Sequence, residues 1–157
     1  MHYLVTFIVE GVDAIEAKGR TGIALEELIE QHDYDWYAEK AHSRWENCWK
    51  AISLETKAGL EIVNQALSLQ LSDYKSSMAA IRYMLENYDD EQIFEEDFKS
   101  DTTYYLSRYQ LNVASGFQRG GCQLYDQFGC NISNRHELES YTTKPNGLWV
   151  VQVDCHS

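Results

Sequence analysis

HYLVTFIVE, residues 2–10, and LWVVQVD, residues 148–154, are the two stretches that decide the fold. Both are rich in β-branched and aromatic residues, which are typical of strands. The tetrapeptide KPNG at 144–147 is a turn signal directly before the second stretch. We therefore predict that the two strands pair in one small, mostly antiparallel sheet, in which residues 2–10 form a central strand.

The chain between these strands predicts two long helices. Apolar residues recur at helical spacing over residues 34–70 and again over 72–88. Residues 69–72 form a short connection, and Ser72 can cap the second helix. A single helix over 34–70 would reach roughly 50 Å at about 1.5 Å per residue, so a break near Gly59 remains an alternative. The prediction is an α+β fold with a long antiparallel helical hairpin packed on the sheet.

The region from 102 to 130 does not predict one structure. Residues 102–113 fit a strand by composition and a helix by the spacing of their apolar residues. Residues 116–129 form a glycine-punctuated loop or hairpin, and a short helix is expected at 134–141. Both alternatives for 102–113 stay open from the sequence.

Length and composition indicate one domain covering residues 1–157. A chain of 157 residues with 44% hydrophobic residues can bury a core without covalent cross-links. Its longest apolar run, near residues 4–9, is far too short to span a bilayer, and no basic region precedes an apolar core as in a signal peptide. We therefore expect a cytoplasmic location, in which the four cysteines are reduced.

The formal charge of −12 is concentrated in two segments. Residues 10–46 hold ten acids against four bases, and residues 86–101 hold eight acids against one lysine. The remaining residues carry a charge close to zero. A chain this acidic is repelled by DNA, RNA and anionic membranes, so direct binding to any of them is excluded.

The segment 86–101, ENYDDEQIFEEDFKSD, is the predicted partner-binding site. Its acids are interleaved with apolar residues that can anchor it to a core, namely Tyr88, Ile93, Phe94 and Phe98. Anchored carboxylates with aromatic rings among them can imitate a phosphate backbone and its bases, and so occupy a basic groove. The predicted contact residues are Glu86, Tyr88, Asp89, Asp90, Glu91, Glu95, Glu96, Asp97 and Asp101. The alternative interpretation is a solvated surface that only increases solubility.

These features predict a small acidic inhibitor or DNA mimic that binds a basic, nucleic-acid-handling protein, with help from residues 26–46. In general character, though in no motif, the chain is similar to viral anti-CRISPR or anti-restriction proteins and to immunity proteins that neutralise nucleases. A homo-oligomer formed through the helical hairpin is a further alternative. No cofactor and no catalytic residue is predicted, and we expect a binding protein rather than an enzyme.

The alternative function is a small enzyme or a ligand- or metal-binding protein with its site in the C-terminal portion, around residues 116–130, His136 and His156. Its candidate metal ligands are Cys122, Cys130, His136 and Cys155, which are residue types that bind zinc. Their spacing contains no close CxxC or HxxxH pair, and zinc sites usually have one. The sequence therefore predicts no metal site, and these four residues remain candidates only.

Overall fold

The computed structural model describes residues 1–116 and 121–157. Contacts divide the chain into two compact units, which we call the sheet unit (Met1–Leu69 and Gly121–Ser157) and the helical unit (Gln70–Gly120). The described residues form five α-helices and one five-stranded mixed sheet, which confirms the α+β class. Whether the two units act as a single domain stays a prediction.

The elements follow one another along the chain in a fixed order. They are β1 (His2–Glu10), α1 (Ala14–Glu30), β2 (Trp36–Tyr37), a 3-10 turn (Lys40–His42), β3 (Ala51–Ser53), α2 (Lys57–Asn87), α3 (Asp90–Glu95), α4 (Tyr109–Ser115), β4 (Cys122–Asp126), α5 (Arg135–Thr142) and β5 (Leu148–His156).

The two predicted strands form the middle of the sheet. β1 has the predicted bounds, and β5 ends two residues later than predicted. They pair antiparallel along their whole length, from His2 opposite His156 to Glu10 opposite Leu148. β4 pairs parallel with the other side of β1, while β2 and β3 both pair antiparallel with the outer side of β5. The prediction of a sheet that joins the terminal strands is confirmed, and the parallel β1–β4 pair makes that sheet mixed.

Both faces of the sheet are covered by helices. Side chains alternate between the faces along a strand, so one set of β1 residues, including Val5 and Phe7, packs on Leu25 and Leu28 of α1. The opposite face contributes Ile8, Leu124 and Val150, which pack against Val63 and Leu67 of α2 and Leu138 of α5. The sheet is therefore the centre of two hydrophobic cores.

The structure has one helix in place of the predicted hairpin. α2 begins at Lys57 and continues through residues 69–72 to Asn87 without a turn, because this connection contains neither glycine nor proline to end the helix. Ser72 is exposed within α2 and caps nothing. The helical hairpin through which a homo-oligomer was predicted is therefore absent from residues 57–87.

Residues 34–53, the first part of the helix predicted over 34–70, instead form the short strands β2 and β3, joined by a 3-10 turn, bends and turns. Trp49 has a left-handed backbone with φ +61°, which a right-handed helix does not allow. Its indole Nε1 donates to the Ala38 carbonyl at 2.9 Å, and its amide donates to the Gln152 carbonyl of β5. Trp49 is thus held by contacts with Ala38 and with the sheet edge rather than along one helical face.

No helix among the described residues is both long enough and apolar enough to cross a membrane.

Candidate functional site

The predicted partner-binding segment is ordered at its start by a helix cap. It begins in the last turn of α2 and continues through α3. The Asp89 carboxylate accepts from the Gln92 amide at 2.9 Å, and the Gln92 side chain accepts from the Asp89 amide at 3.1 Å. This reciprocal capping box satisfies two amides that a helix start leaves unpaired. Asp90 and Glu91 then lie in the first turn, where negative charge favours the helix dipole.

Three of the four predicted anchors lie in or against a core. Phe98 is buried with Ile81 and Met84 of α2, and Tyr88 and Ile93 pack against this cluster. Phe94 was predicted as an anchor and is instead exposed. The Arg108 guanidinium lies over its ring, 5.3 Å from the centroid, which is a cation–π contact. The segment is therefore anchored as predicted, with one aromatic ring left outside.

Asp101 fixes the end of the segment. The hydroxyls of Tyr83 and Tyr88 donate to its Oδ2 at 2.7 and 2.8 Å, and the Thr103 amide donates to its Oδ1 at 2.8 Å. These donors, that of Tyr83 first, hold the pKa of Asp101 well below its usual range. Desolvation, followed by the Asp101 hydrogen bond and charge, raises the pKa of Tyr88 to about 12. The hydrogen bonds of Asp101 and Tyr88 thus stabilise the loop that follows α3.

Glu96 makes a second internal connection. Its Oε1 accepts from the Arg108 amide at 2.8 Å and from Ser107 Oγ at 3.0 Å, and these bonds lower the pKa of Glu96. Glu96, Lys99 and Ser100 have left-handed backbones, at φ 56°, 49° and 64°. Such conformations cost on the order of 1–3 kcal/mol each in non-glycine residues. The contacts of Glu96 and Asp101 therefore hold the loop in a strained shape.

The remaining carboxylates of the segment are exposed. Within residues 1–116 and 121–157, these carboxylates form no ion pair, and they belong to Glu86, Asp90, Glu91, Glu95 and Asp97. Asp89, Glu96 and Asp101, although predicted as contact residues, already bind groups of the segment itself or of its neighbours. The structure thus separates five outward carboxylates from three that maintain the local fold.

The second acidic segment, residues 26–46, lies in the sheet unit. Glu26, Glu27 and Glu30 are exposed on the C-terminal half of α1, and Glu39 and Glu46 are exposed beyond it. The prediction that these acids assist the segment 86–101 stays a prediction.

The candidate metal ligands are not brought together. Cys122 and Cys155 are both buried, but they lie on opposite faces of the sheet. Cys130 is exposed in the turn after β4, and His136 is exposed on α5. No group of three or more His, Cys, Asp or Glu residues in the described part of the chain is arranged to hold a metal ion. Of the glycine-rich stretch named for the alternative site, residues 117–120 lie outside the described residues.

A buried histidine–carboxylate pair at the end of the sheet was missed by sequence reasoning. Asp154 of β5 is 0% exposed, and its Oδ1 lies 2.7 Å from Nδ1 of His2, whose side chain is 18% exposed. The Arg44 amide donates to the other oxygen, Oδ2, at 2.8 Å. His2 and Asp154 meet because β1 and β5 pair with His2 opposite His156, two residues further along the same face.

His156 lies beside this pair in a ring of aromatic contacts. Trp36 stacks on its imidazole, with the centroids 5.1 Å apart, and His2 meets it edge to face at 5.3 Å. Its Nδ1 is buried and makes no hydrogen bond with a described residue. Asp35 Oδ2 lies 3.3 Å from that nitrogen; this distance suits an ion pair, but the two atoms do not have hydrogen-bond geometry.

A family model described as "Domain of unknown function (DUF7995)" matches residues 1–157. The chain belongs to this family. No curated protein and no solved structure matches the chain.

In this member of the family, the acidic segment 86–101 and the His2–Asp154 pair differ in the chemistry they can perform. The outward carboxylates of 86–101 can accept hydrogen bonds and ion pairs from a cationic surface. The Asp154 carboxylate can fix the orientation of the His2 imidazole, an arrangement used for proton transfer and for metal ligation. The first arrangement is an extended acidic surface, and the second is a compact cluster of side chains.

Proposed function

We propose that this protein is a small acidic inhibitor that covers a basic, nucleic-acid-binding surface of a partner protein by charge mimicry. One observation carries the proposal: the segment 86–101 displays five exposed carboxylates that form no ion pair with a described residue, on a framework fixed by a capping box and by the contacts of Glu96 and Asp101. A segment that served solubility alone would not need a framework this ordered.

Order in the free protein favours binding because less conformational freedom is then lost on association. Glu91 and Glu95 are four residues apart in α3, so they are neighbours on one helix face. Like charges at this spacing destabilise a helix slightly. A partner surface rich in lysine and arginine would relieve that repulsion and gain ion pairs, as it does with phosphates.

Exposed aromatic rings in the same unit support a protein partner. Phe94, Tyr104 and Tyr105 are all exposed, and Tyr104 is steadied by a ring contact with Tyr83. Aromatic residues are enriched at the centres of protein interfaces. A partner that offers both cations and apolar contacts would use these rings together with the carboxylates.

The size and charge of the chain are consistent with a cytoplasmic anti-defence protein of viral type, directed against CRISPR or restriction systems, or with an immunity protein against a nuclease. All of these would share one physical action, which is to exclude nucleic acid from a basic groove. Ion pairing of this kind weakens as salt is added.

The test replaces three of the outward carboxylates, in the triple variant Glu91→Lys, Glu95→Lys and Asp97→Lys. Its matched control changes three exposed acids of the sheet unit, Glu55→Lys, Glu61→Lys and Glu139→Lys, so that the net charge changes equally. Tagged proteins are used to capture partners from the native host at low and moderate salt. Duplex DNA is then tested as a competitor for each captured protein.

The proposal expects a captured protein that binds DNA and that DNA displaces from the wild type. The control variant should still capture this protein, whereas the 91/95/97 variant should not. It is wrong if the captured protein does not bind nucleic acid, or if the 91/95/97 variant captures it as well as the wild type does. Circular dichroism of both variants checks that the fold is retained.

A second candidate function, a ligand-binding protein or small enzyme, is favoured by the His2–Asp154 pair and by Nδ1 of His156, which makes no hydrogen bond with a described residue. Zinc ion and inorganic phosphate, added separately, are suitable probes of this site. The imidazole resonances of His2 and His156 in NMR spectra should then shift, and His156→Gln should abolish the shift at low probe concentration. Unchanged resonances with both probes would count against this candidate.

A further inference from the structure

The turn before β5 contains a chemically reactive pair of residues. Asn146 is followed by Gly147, and no other asparagine of the chain precedes a glycine. Both residues are exposed. The Asn146 side chain and the Gly147 amide make no hydrogen bond with a described residue. The turn belongs to the sheet unit, and neither of the two proposed functions uses it.

The geometry of the turn leaves the Gly147 nitrogen accessible. The Leu148 amide donates to the Pro145 carbonyl at 3.0 Å, so Asn146 and Gly147 are the two central residues of the turn. Gly147 has φ +72°, a conformation that favours glycine. A Cβ added there would meet nothing within 4 Å among the described residues, so the surroundings of the turn are open. Because glycine has no side chain, nothing on residue 147 shields its nitrogen from Asn146.

We propose that Asn146 is a site of covalent modification, at which the side-chain amide is lost through a cyclic imide. The Gly147 nitrogen attacks Cγ of Asn146, so that an N–Cγ bond forms and the Cγ–Nδ2 bond breaks. Nδ2 leaves as ammonia and takes the proton of the Gly147 amide. Solvent water then opens the imide at Cγ, which gives aspartate, or at the main-chain carbonyl carbon, which gives isoaspartate.

Other exposed asparagines lack these conditions. Asn131 donates from Nδ2 to Gln123 Oε1 at 2.9 Å, and the β-branched residue that follows it, Ile132, hinders attack by the main-chain nitrogen. Asn134 caps α5, where its Oδ1 accepts from the Glu137 amide at 3.0 Å. Both side chains are thus held by hydrogen bonds that the Asn146 side chain does not make with the described residues.

The isoaspartate product changes the length of the main chain in the turn. The main chain then passes through the former side chain, which inserts an additional methylene group before the nitrogen of Gly147. The Gly147 carbonyl accepts from the Gly11 amide at 3.0 Å, and the Gly11 carbonyl accepts from Trp149 Nε1 at 2.9 Å. The longer turn therefore disturbs the contacts at this end of the β1–β5 pair, whereas the aspartate product adds only a negative charge.

Peptide mapping of the folded full chain, aged at neutral pH and physiological temperature, tests this modification. Trypsin does not cleave between Lys144 and Pro145, so the peptide 136–157 contains Asn146 as its only asparagine. This peptide should gain the mass that corresponds to replacement of an amide by a carboxylate. A protein-isoaspartate methyltransferase, which transfers a methyl group from S-adenosylmethionine to isoaspartate, should then methylate it.

Two variants assign the reaction to the Asn146–Gly147 pair. Asn146→Gln should abolish the mass gain, because attack on the longer side chain requires a larger and less favourable ring. Gly147→Ala should slow the gain by at least about tenfold, because its Cβ hinders the nitrogen. The inference is overturned if the peptide 136–157 of the folded wild type gains no mass on ageing, or if either variant gains mass as fast as the wild type does.

Asn146→Asp separates the effect of the charge from that of the longer main chain. This variant carries the new charge on an unaltered main chain, so it should melt at the temperature of the fresh wild type. The isoaspartate fraction of the aged wild type, isolated by ion exchange, should melt at a lower temperature. Equal melting temperatures for this fraction and Asn146→Asp would overturn the effect assigned to the contacts of Gly11.

Discussion

Removing the imidazole of His2 is expected to destabilise the protein more than removing the carboxylate of Asp154, although the two groups share one contact. The perturbations are His2→Phe and Asp154→Leu, which keep side chains of similar size. The asymmetry follows from burial: Asp154 is 0% exposed, whereas the side chain of His2 is 18% exposed and can regain water.

The magnitudes follow from the partners that remain in each variant. His2→Phe leaves a fully buried carboxylate with the Arg44 amide as its one remaining donor among the described residues. Removing one hydrogen-bond partner of a buried polar group costs about 1–3 kcal/mol, and more when that group is a carboxylate. Asp154→Leu leaves the Arg44 amide without this acceptor, which costs about 1–3 kcal/mol, and His2 is then rehydrated. The double variant should cost about as much as Asp154→Leu alone, because the buried charge is absent from both.

Urea unfolding at neutral pH, followed by circular dichroism and tryptophan fluorescence, measures all four proteins of this cycle. The two signals should give the same midpoint for each protein, so that the free energies can be compared. The reasoning is refuted if Asp154→Leu is the more destabilising single change, or if the effects of the two single changes simply add in the double variant.

Two further predictions concern the start of α2 and the loop after α3. Gly59→Ala should lower stability by at least about 1–3 kcal/mol, because its Cβ would overlap the Ser53 carbonyl oxygen and lie 2.9 Å from Leu54 Cα; a melting temperature as high as that of the wild type would contradict this. Asp101→Asn should move the ionisation of Tyr88 from about 12 back towards 10 in ultraviolet absorbance titrations, and an unmoved ionisation would show that burial alone causes the shift. Because the pKa of Asp101 is lowered in the folded state, the ionised carboxylate stabilises the fold. This stabilisation is complete above pH 3.8, the ordinary pKa of an aspartate, and is lost as the pH falls below that value. The raised pKa of Tyr88 acts in the opposite direction, stabilising below pH 10 and losing its effect as the pH rises towards 12.

Part of the candidate site could be predicted from the sequence. The interleaving of acids with Tyr88, Ile93 and Phe98 correctly indicated an ordered acidic segment, because apolar residues among charges have to be buried somewhere. The same pattern could not show that Phe94 lies outside, because Phe94 and Ile93 are adjacent in a short helix and the core accommodates one of them. It also could not distinguish the carboxylates of Glu96 and Asp101, which bind internal donors, from those that point outward.

The sequence by itself determined the central strands β1 and β5, because a run of β-branched and aromatic residues bounded by a turn signal has few alternatives to a strand. Periodicity alone misassigned residues 34–53, since helical spacing of apolar residues arises by chance when the real partner is a sheet edge. Only the tertiary structure decided that His2 meets Asp154, which is 152 residues away. That contact depends on the register of β1 against β5, and a register is set by how the two strands pair across a sheet rather than by either strand alone.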